Sequence, residues 1–273
     1  MSLNQTIQEL QDAFTDTDQK MPALFVGHGN PMNALEDNEF SRAWAEAGQA
    51  LPKPKAILCI SAHWETAGTQ VTGMDKPKTI HDFGGFPPEL YAMEYAAPGS
   101  SDLARLTQAT VQQTQVGLDQ DWGLDHGTWS VLCRMFPAAD IPVVQLSLDR
   151  TQKPEFHYAL GKELQALRNK GVLILGSGNI VHNLRRAVFQ DSAAYDWAIE
   201  FDETIKQLMV AGNHDPIVHY QTLGQAARLA IPTNEHYLPL LYILALQDKQ
   251  EHIRFFADKV TMGSLSMRSL WIE

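Results

Sequence analysis

Five of the ten histidines in this chain sit where side chains do chemistry. His28, His63, His126, His182 and His236 each stand in a loop or at a segment end, beside apolar runs that read as core elements. Imidazole is the commonest metal ligand and the one side chain whose ordinary pKa lies near neutrality. A cluster of this kind points to a metal with acid/base partners. A lone histidine in such a place is more often a satisfied structural residue; five in similar positions shift the balance. His157, on a helical pattern, and His214, His219 and His252, in polar stretches, read as structural or surface groups. No H-E-x-x-H, C-x-x-C or G-x-S-x-G pattern is present, and Gly176-Ser177-Gly178 lacks the Gly-Lys-Ser/Thr of a phosphate loop. Ser61 and Ser177 therefore read as turn or cap serines.

The elements that must position these histidines are short apolar runs. Ile57 to Ile60 is rich in β-formers, follows Pro52 and Pro54, and ends at Ser61-Ala62 with His63 at its exit. Ala23 to Val26 runs in the same way into Gly27-His28-Gly29-Asn30. A helical pattern from Leu35 to Leu51 separates the two, so the strands can lie parallel with both exits at one edge, where ligands of open α/β sheets gather. Further strands are expected at Gln70 to Met74, Ile141 to Leu148 and Val172 to Leu175, the last leaving through Gly176 towards His182. Helices are expected from Ser100, a cap, to about Gln115; from Thr128, a second cap, to Phe136; from Pro154 to Lys170; from Ala193 to Met209; and across Tyr237 to Leu246 near Pro239. Residues 75–99 read as a long binding loop, and Met262 to Ile272 as an edge strand. The expected fold is a single α/β domain with a central, mostly parallel or mixed sheet flanked by helices, residues 21–273, after an N-terminal extension of residues 1–20.

Composition narrows the function classes. A net charge of −11 argues against a nucleic-acid footprint. The longest apolar run, Tyr237 to Leu246, is about half of the roughly 20 residues that a membrane span needs. The N-terminus lacks the basic, apolar and small-residue order of a signal peptide. The two cysteines, Cys59 and Cys133, lie in apolar settings and read as free thiols. A cytoplasmic protein without nucleic-acid or membrane partners is expected; the oligomeric state is open.

Six blocks in order resemble a known family. They are Gly27-His28-Gly29-Asn30-Pro31-Met32, Ser61-Ala62-His63-Trp64, His81-Asp82-Phe83-Gly84-Gly85-Phe86-Pro87, Gly123-Leu124-Asp125-His126-Gly127, Gly178-Asn179-Ile180-Val181-His182-Asn183 and Glu235-His236-Tyr237-Leu238-Pro239-Leu240. Together they are similar to the DODA-type branch of the class III, LigB-like extradiol ring-opening dioxygenases, from about Met21 to the C-terminus. The resemblance implies a mononuclear metal site with His28, His63 and His236 as ligands. His182 matches a position that is a ligand in this branch and an acid/base group in the wider class, and His126 matches a second acid/base histidine. The wider class completes its site with a glutamate; here Glu235 and His236 stand side by side, and the branch motif points to His236. The implied reaction inserts O2 into a DOPA-like catechol to give a muconic semialdehyde, with Fe(II) for activity and Zn(II) able to occupy the same histidines. The implied partners are a small aromatic diol and O2, and Phe83 and Phe86 are candidates to line the ring. Two other readings remain, a zinc-dependent hydrolase and a non-catalytic metal-binding interaction module.

Overall fold

The computed structural model describes residues 14–188 and 193–273. Its strands are β1 (Ala23–Gly27), β2 (Ala56–Thr66), β3 (Thr69–Thr72), β4 (Val116–Asp119), β5 (Val143–Asp149), β6 (Val172–Gly178), β7 (Ile253–Phe256), β8 (Val260–Thr261), β9 (Leu265–Ser266) and β10 (Ser269–Ile272). Eight of them form one mixed sheet in the order β4-β3-β5-β2-β6-β1-β10-β7. The central four, β5, β2, β6 and β1, are parallel neighbours. Their carboxyl ends therefore reach the same edge, the one towards which the runs before His28 and His63 were expected to lead.

Parallel strands covered on both faces read as continuous apolar runs. β1, β5 and β6 are buried along their whole lengths. Side chains alternate across the sheet and feed two cores. Phe25, Leu58 and Ile174 face one core, which also takes Leu103, Leu160, Phe201 and Leu240 from the helices on that side. Leu24, Ile57, Cys59 and Leu175 face the other, with Trp44, Ala47, Trp129 and Leu132. Phe14 joins the first core, and Thr17 donates its backbone N–H to Asn169 O, so the chain just ahead of residue 21 lies against the domain. The rest of the expected N-terminal extension, residues 1–13, lies outside the described residues.

The fold class is as read from sequence, and several elements differ in detail. β2 does not end at Ser61; it runs on to Thr66 through a register shift against β5 between Ile60 and Glu65, so His63 sits within the strand rather than at its exit. The helix after Ser100 stops at Thr110 and gives way to β4, which the polar run Gln112-Gln113-Thr114-Gln115 hid. The cap of the helix His126–Met135 is Asp125, whose carboxylate accepts from Thr128 N, rather than Thr128. The expected helix from Pro154 to Lys170 is split into Pro154–Glu163 and a single turn, Gln165–Arg168. Pro239 stands in the first turn of the helix Leu238–Leu244, where its missing N–H costs nothing. The tail is not an edge strand: β10 lies between β1 and β7, and β7 forms the edge. Cys59 and Cys133 are free thiols. No helix among the described residues is long and apolar enough to cross a membrane.

Candidate metal centre and active site

Five elements deliver the five histidines to one cavity. His28 follows β1, His63 lies in β2, His126 opens the helix His126–Met135, His182 follows β6, and His236 precedes the helix Leu238–Leu244. All five line a cavity of about 390 Å³ whose other walls include Pro31, Phe83, Phe86, Leu184, Met262 and Leu265. The close approach of His236 depends on β6 ending in glycine. A Cβ on Gly178 would lie 2.1 Å from His236 O, and Asn179 N donates to that same carbonyl at 2.8 Å.

The expected ligand trio meets. Ring centroids are 5.0 Å apart for His28 and His63, 5.3 Å for His28 and His236, and 5.0 Å for His63 and His236. Potential ligand atoms of His28, His63 and His126 lie within 4.8 Å of one another, as do those of His182, Glu235 and His236. His182 stacks on His236 with centroids 3.4 Å apart and planes 7° from parallel. His126 packs against His63 at 3.9 Å.

The hydrogen bonds assign the tautomers. Ser177 has one hydroxyl proton, which it donates to Gly127 O at 2.5 Å. The 3.0 Å contact between Ser177 Oγ and His28 Nδ1 therefore has Nδ1–H as donor, which leaves His28 Nε2 a bare lone pair. His236 Nδ1 lies 3.0 Å from Glu235 Oε1, and a carboxylate only accepts, so His236 Nε2 is bare as well. Asp82 serves two rings: Oδ2 lies 3.3 Å from His63 Nδ1, and Oδ1 lies 3.0 Å from His126 Nδ1, off the direct N–H axis. His63 Nε2 then faces His28 Nε2 at 3.1 Å. With His28 Nε2 bare, this contact is a hydrogen bond when His63 carries its proton on Nε2, and a pair of facing lone pairs that a cation would bridge when Asp82 holds that proton on Nδ1. The donor set fits a metal that accepts imidazole nitrogen, and each Nδ1 partner supplies the outer support that ligating histidines carry.

The electrostatics agree. Burial, then the other histidines around it, holds His28 well below its ordinary pKa, and burial does the same to His236. Burial and His126 lower His63 to about 3 against the opposing pull of Asp82. Burial lowers His182 to about 4, with Glu235 opposing. Burial would raise Asp82, but the hydrogen bond and charge of His126 and the charge of His63 outweigh it and leave the carboxyl below its usual range. His28, His63, His182 and His236 are thus neutral near pH 7, the form that binds metal.

Three supporting residues escaped the sequence reading. Ser61 and Ser177 are not turn or cap serines; both are fully buried strand residues. Ser61 Oγ donates to Asp125 Oδ1 at 2.7 Å, and Gln145 Nε2 donates to the other oxygen of that carboxylate at 2.6 Å. Burial, then the charge of Asp82, raises Asp125 against those two hydrogen bonds. Asp82 was visible only as part of a glycine-rich block; an acid flanked by aromatics and glycines beside a histidine was the available signal.

Residues 22–266 match a family described as the catalytic LigB subunit of aromatic ring-opening dioxygenase. The chain is 49% identical over 258 residues to the Escherichia coli K12 protein named 4,5-DOPA dioxygenase extradiol, covering 93% of this chain and 95% of that protein. It is 40% identical over 223 residues to a protein of the same name from Beta vulgaris, covering 80% and 83% of the two chains. Among solved structures, that of an uncharacterised Escherichia coli K12 protein aligns with a TM-score of 0.82 at 44% identity, over 93% of this chain and all of its own.

Proposed function

The chain belongs to the LigB family of aromatic ring-opening dioxygenases, and from that premise we propose that it opens a DOPA-like catechol beside its two hydroxyls to give a muconic semialdehyde. The proposed cofactor is Fe(II) on His28, His63 and His236, with His182, stacked on His236, either completing the shell or moving a proton. Such an iron supplies the oxygen-activating redox chemistry; zinc, which suits the same donors, has none. The observation that carries the reading is the convergence of the His28, His63 and His236 rings, 5.0, 5.3 and 5.0 Å apart by centroid, on one cavity.

The protein's own groups divide the remaining work. His126, with Nδ1 beside Asp82, offers Nε2 to a catechol hydroxyl proton and returns a proton later. Phe83, Phe86 and Leu265 wall the cavity and hold the apolar edge of the ring. Ser177 and Glu235 keep His28 and His236 in the tautomer that presents Nε2. Both atoms of O2 enter the product while one carbon–carbon bond breaks, so no outside reductant is consumed. A cytoplasmic location is part of the same proposal and suits the free thiols. So is the division into residues 1–20 as an extension and 21–273 as the catalytic domain.

The test is anaerobic loading with Fe(II), then O2 uptake and the visible absorbance of the ring-opened product on addition of DOPA or a simpler catechol. Uptake matched to product with iron, and none with zinc, is the expected result. Ester or amide hydrolysis by the zinc form without O2 uptake would favour the hydrolase instead, and metal binding with neither activity would favour an interaction module.

A further inference from the structure

Asp82 is the acid that the five-histidine site shares between its parts. Its side chain is 18% exposed. Oδ1 accepts the backbone N–H of His126 at 2.9 Å and lies 3.0 Å from that residue's Nδ1, close enough to act on it by charge though out of line for a hydrogen bond. Oδ2 lies 3.3 Å from His63 Nδ1. The two carboxylate oxygens are thus divided between two imidazoles whose centroids are 3.9 Å apart.

The loop that carries Asp82 is held on both sides. Upstream, Ile80 N donates to Leu124 O at 2.7 Å, Leu124 N donates to Lys78 O at 2.8 Å, and Trp129 Nε1 donates to Ile80 O at 2.9 Å. Next to Asp82, His81 Nε2 lies 2.9 Å from Met93 O. Downstream, the Phe83 ring meets His126 edge-on at 5.5 Å and Phe86 at 5.2 Å. The carboxylate is therefore set in place before any ligand arrives, and the same loop supplies part of the aromatic wall.

We propose that Asp82 is a positioning residue that fixes His63 and His126 together in the Nδ1–H form, so that one carboxylate sets the metal-holding ring and the proton-moving ring relative to each other. The roles given to the two rings rest on the functional reading above; the shared tautomer control does not. A carboxylate has acceptor capacity for both Nδ1–H groups. A carboxamide has one oxygen and one NH2 group, so it cannot accept from the two rings through two oxygens, and one ring must turn or change tautomer.

The experiment uses the full-length protein with 15N-labelled histidine, and two-bond proton–nitrogen spectra to read which ring nitrogen carries hydrogen. In the metal-free parent, His63 and His126 are expected as Nδ1–H. In Asp82→Asn, one of the two is expected to lose that form. Titration with Co(II) alone is expected to show about 10–100-fold weaker binding, the usual loss when an outer partner of a metal ligand is removed. In the iron-loaded form, kcat for catechol is expected to fall more than KM changes. Asp82→Glu keeps two acceptor oxygens and is expected to retain the parent tautomers, with a melting temperature recorded for each variant. A folded Asp82→Asn with parent tautomers and parent Co(II) affinity overturns the proposal. If Asp82→Asn does not fold, a folded Asp82→Glu that has lost the Nδ1–H form at both rings overturns it as well. A parent protein that opens no catechol refutes the functional reading, and the tautomer and cobalt results still decide the part played by Asp82.

Discussion

At the scale of single residues, the site separates groups that hold from groups that transfer. His63 faces His28 Nε2 at 3.1 Å and belongs to the converging trio. His63→Ala is expected to abolish or sharply reduce metal uptake, with a smaller change in folding stability than in activity. Metal content and melting temperature measured on one preparation check this; full iron content would remove His63 from the shell. His126 stands beside that trio rather than opposite it, 5.7 Å from His28 and 3.9 Å from His63 by ring centroid. His126→Ala is expected to keep metal and catechol binding and to lose turnover by about 10²–10⁴-fold, the usual contribution of one acid/base group. Single-turnover ring opening decides it: metal lost with turnover would make His126 a ligand, and a lower melting point with unchanged turnover would make it structural.

At the scale of elements, the site depends on glycines where two pieces of backbone meet. A Cβ on Gly178 would lie 2.1 Å from His236 O and 3.3 Å from Pro239 Cγ. Gly178→Ala must therefore push His236 away from β6 or displace the helix Leu238–Leu244. The expected outcome is a stability loss of about 1–3 kcal/mol from overpacking, with weaker metal binding in the folded fraction. Urea melts and a Co(II) titration check both parts, and unchanged cobalt affinity would show that His236 tolerates the shift. The same scale explains what sequence could reveal. Apolar runs ending in Gly27-His28 and Ser61-Ala62-His63 announced parallel strands and a shared edge, because burial on both faces writes itself as unbroken β-formers. The continuation of β2 to Thr66 was hidden because His63 and Glu65 are polar and the strand shifts register there. β7 and the interior place of β10 were hidden because pairing partners far apart in the chain leave no local signal. The histidines were legible as residue types in glycine-bracketed settings. Their Nδ1 partners were not, since Ser177, Glu235 and Asp82 gain meaning only once the backbone brings them within hydrogen-bonding reach.

At the scale of the whole molecule, burial of neutral imidazole links folding to pH. His157 lies outside the site, fully buried, with Nδ1 2.9 Å from Tyr242 Oη. Burial lowers it from 6.5 to about 4, with Asp149 partly opposing. The unfolded chain takes up this proton as pH falls through 6.5, while the folded chain does not until about 4. Stability from this group is therefore fully present above 6.5 and lost progressively as pH falls towards 4, on the order of 3 kcal/mol in all. Urea midpoints at pH 7 and pH 5 should converge in His157→Gln relative to the parent, because glutamine binds no proton in this range. Equal pH dependence in the two proteins would remove His157 from the account.

The placement of β1 has a consequence for the order of folding. Ala23 pairs with Ile174 on one side and with Ile272 on the other. The first strand of the sheet thus waits for one of the last before both its edges are covered. Until β10 docks, a β6–β1 intermediate shows an open row of backbone donors and acceptors along β1, flanked by buried-type apolar side chains. Such a row recruits other chains as readily as its own. Refolding from urea is expected to be slow, as distant pairings are, and to lose yield as protein concentration rises. A peptide spanning Ser269–Ile272 and its neighbours, added in excess during refolding, should compete for that edge and change the yield. A yield independent of both concentration and peptide would mean that β10 closes the sheet before the edge is ever exposed.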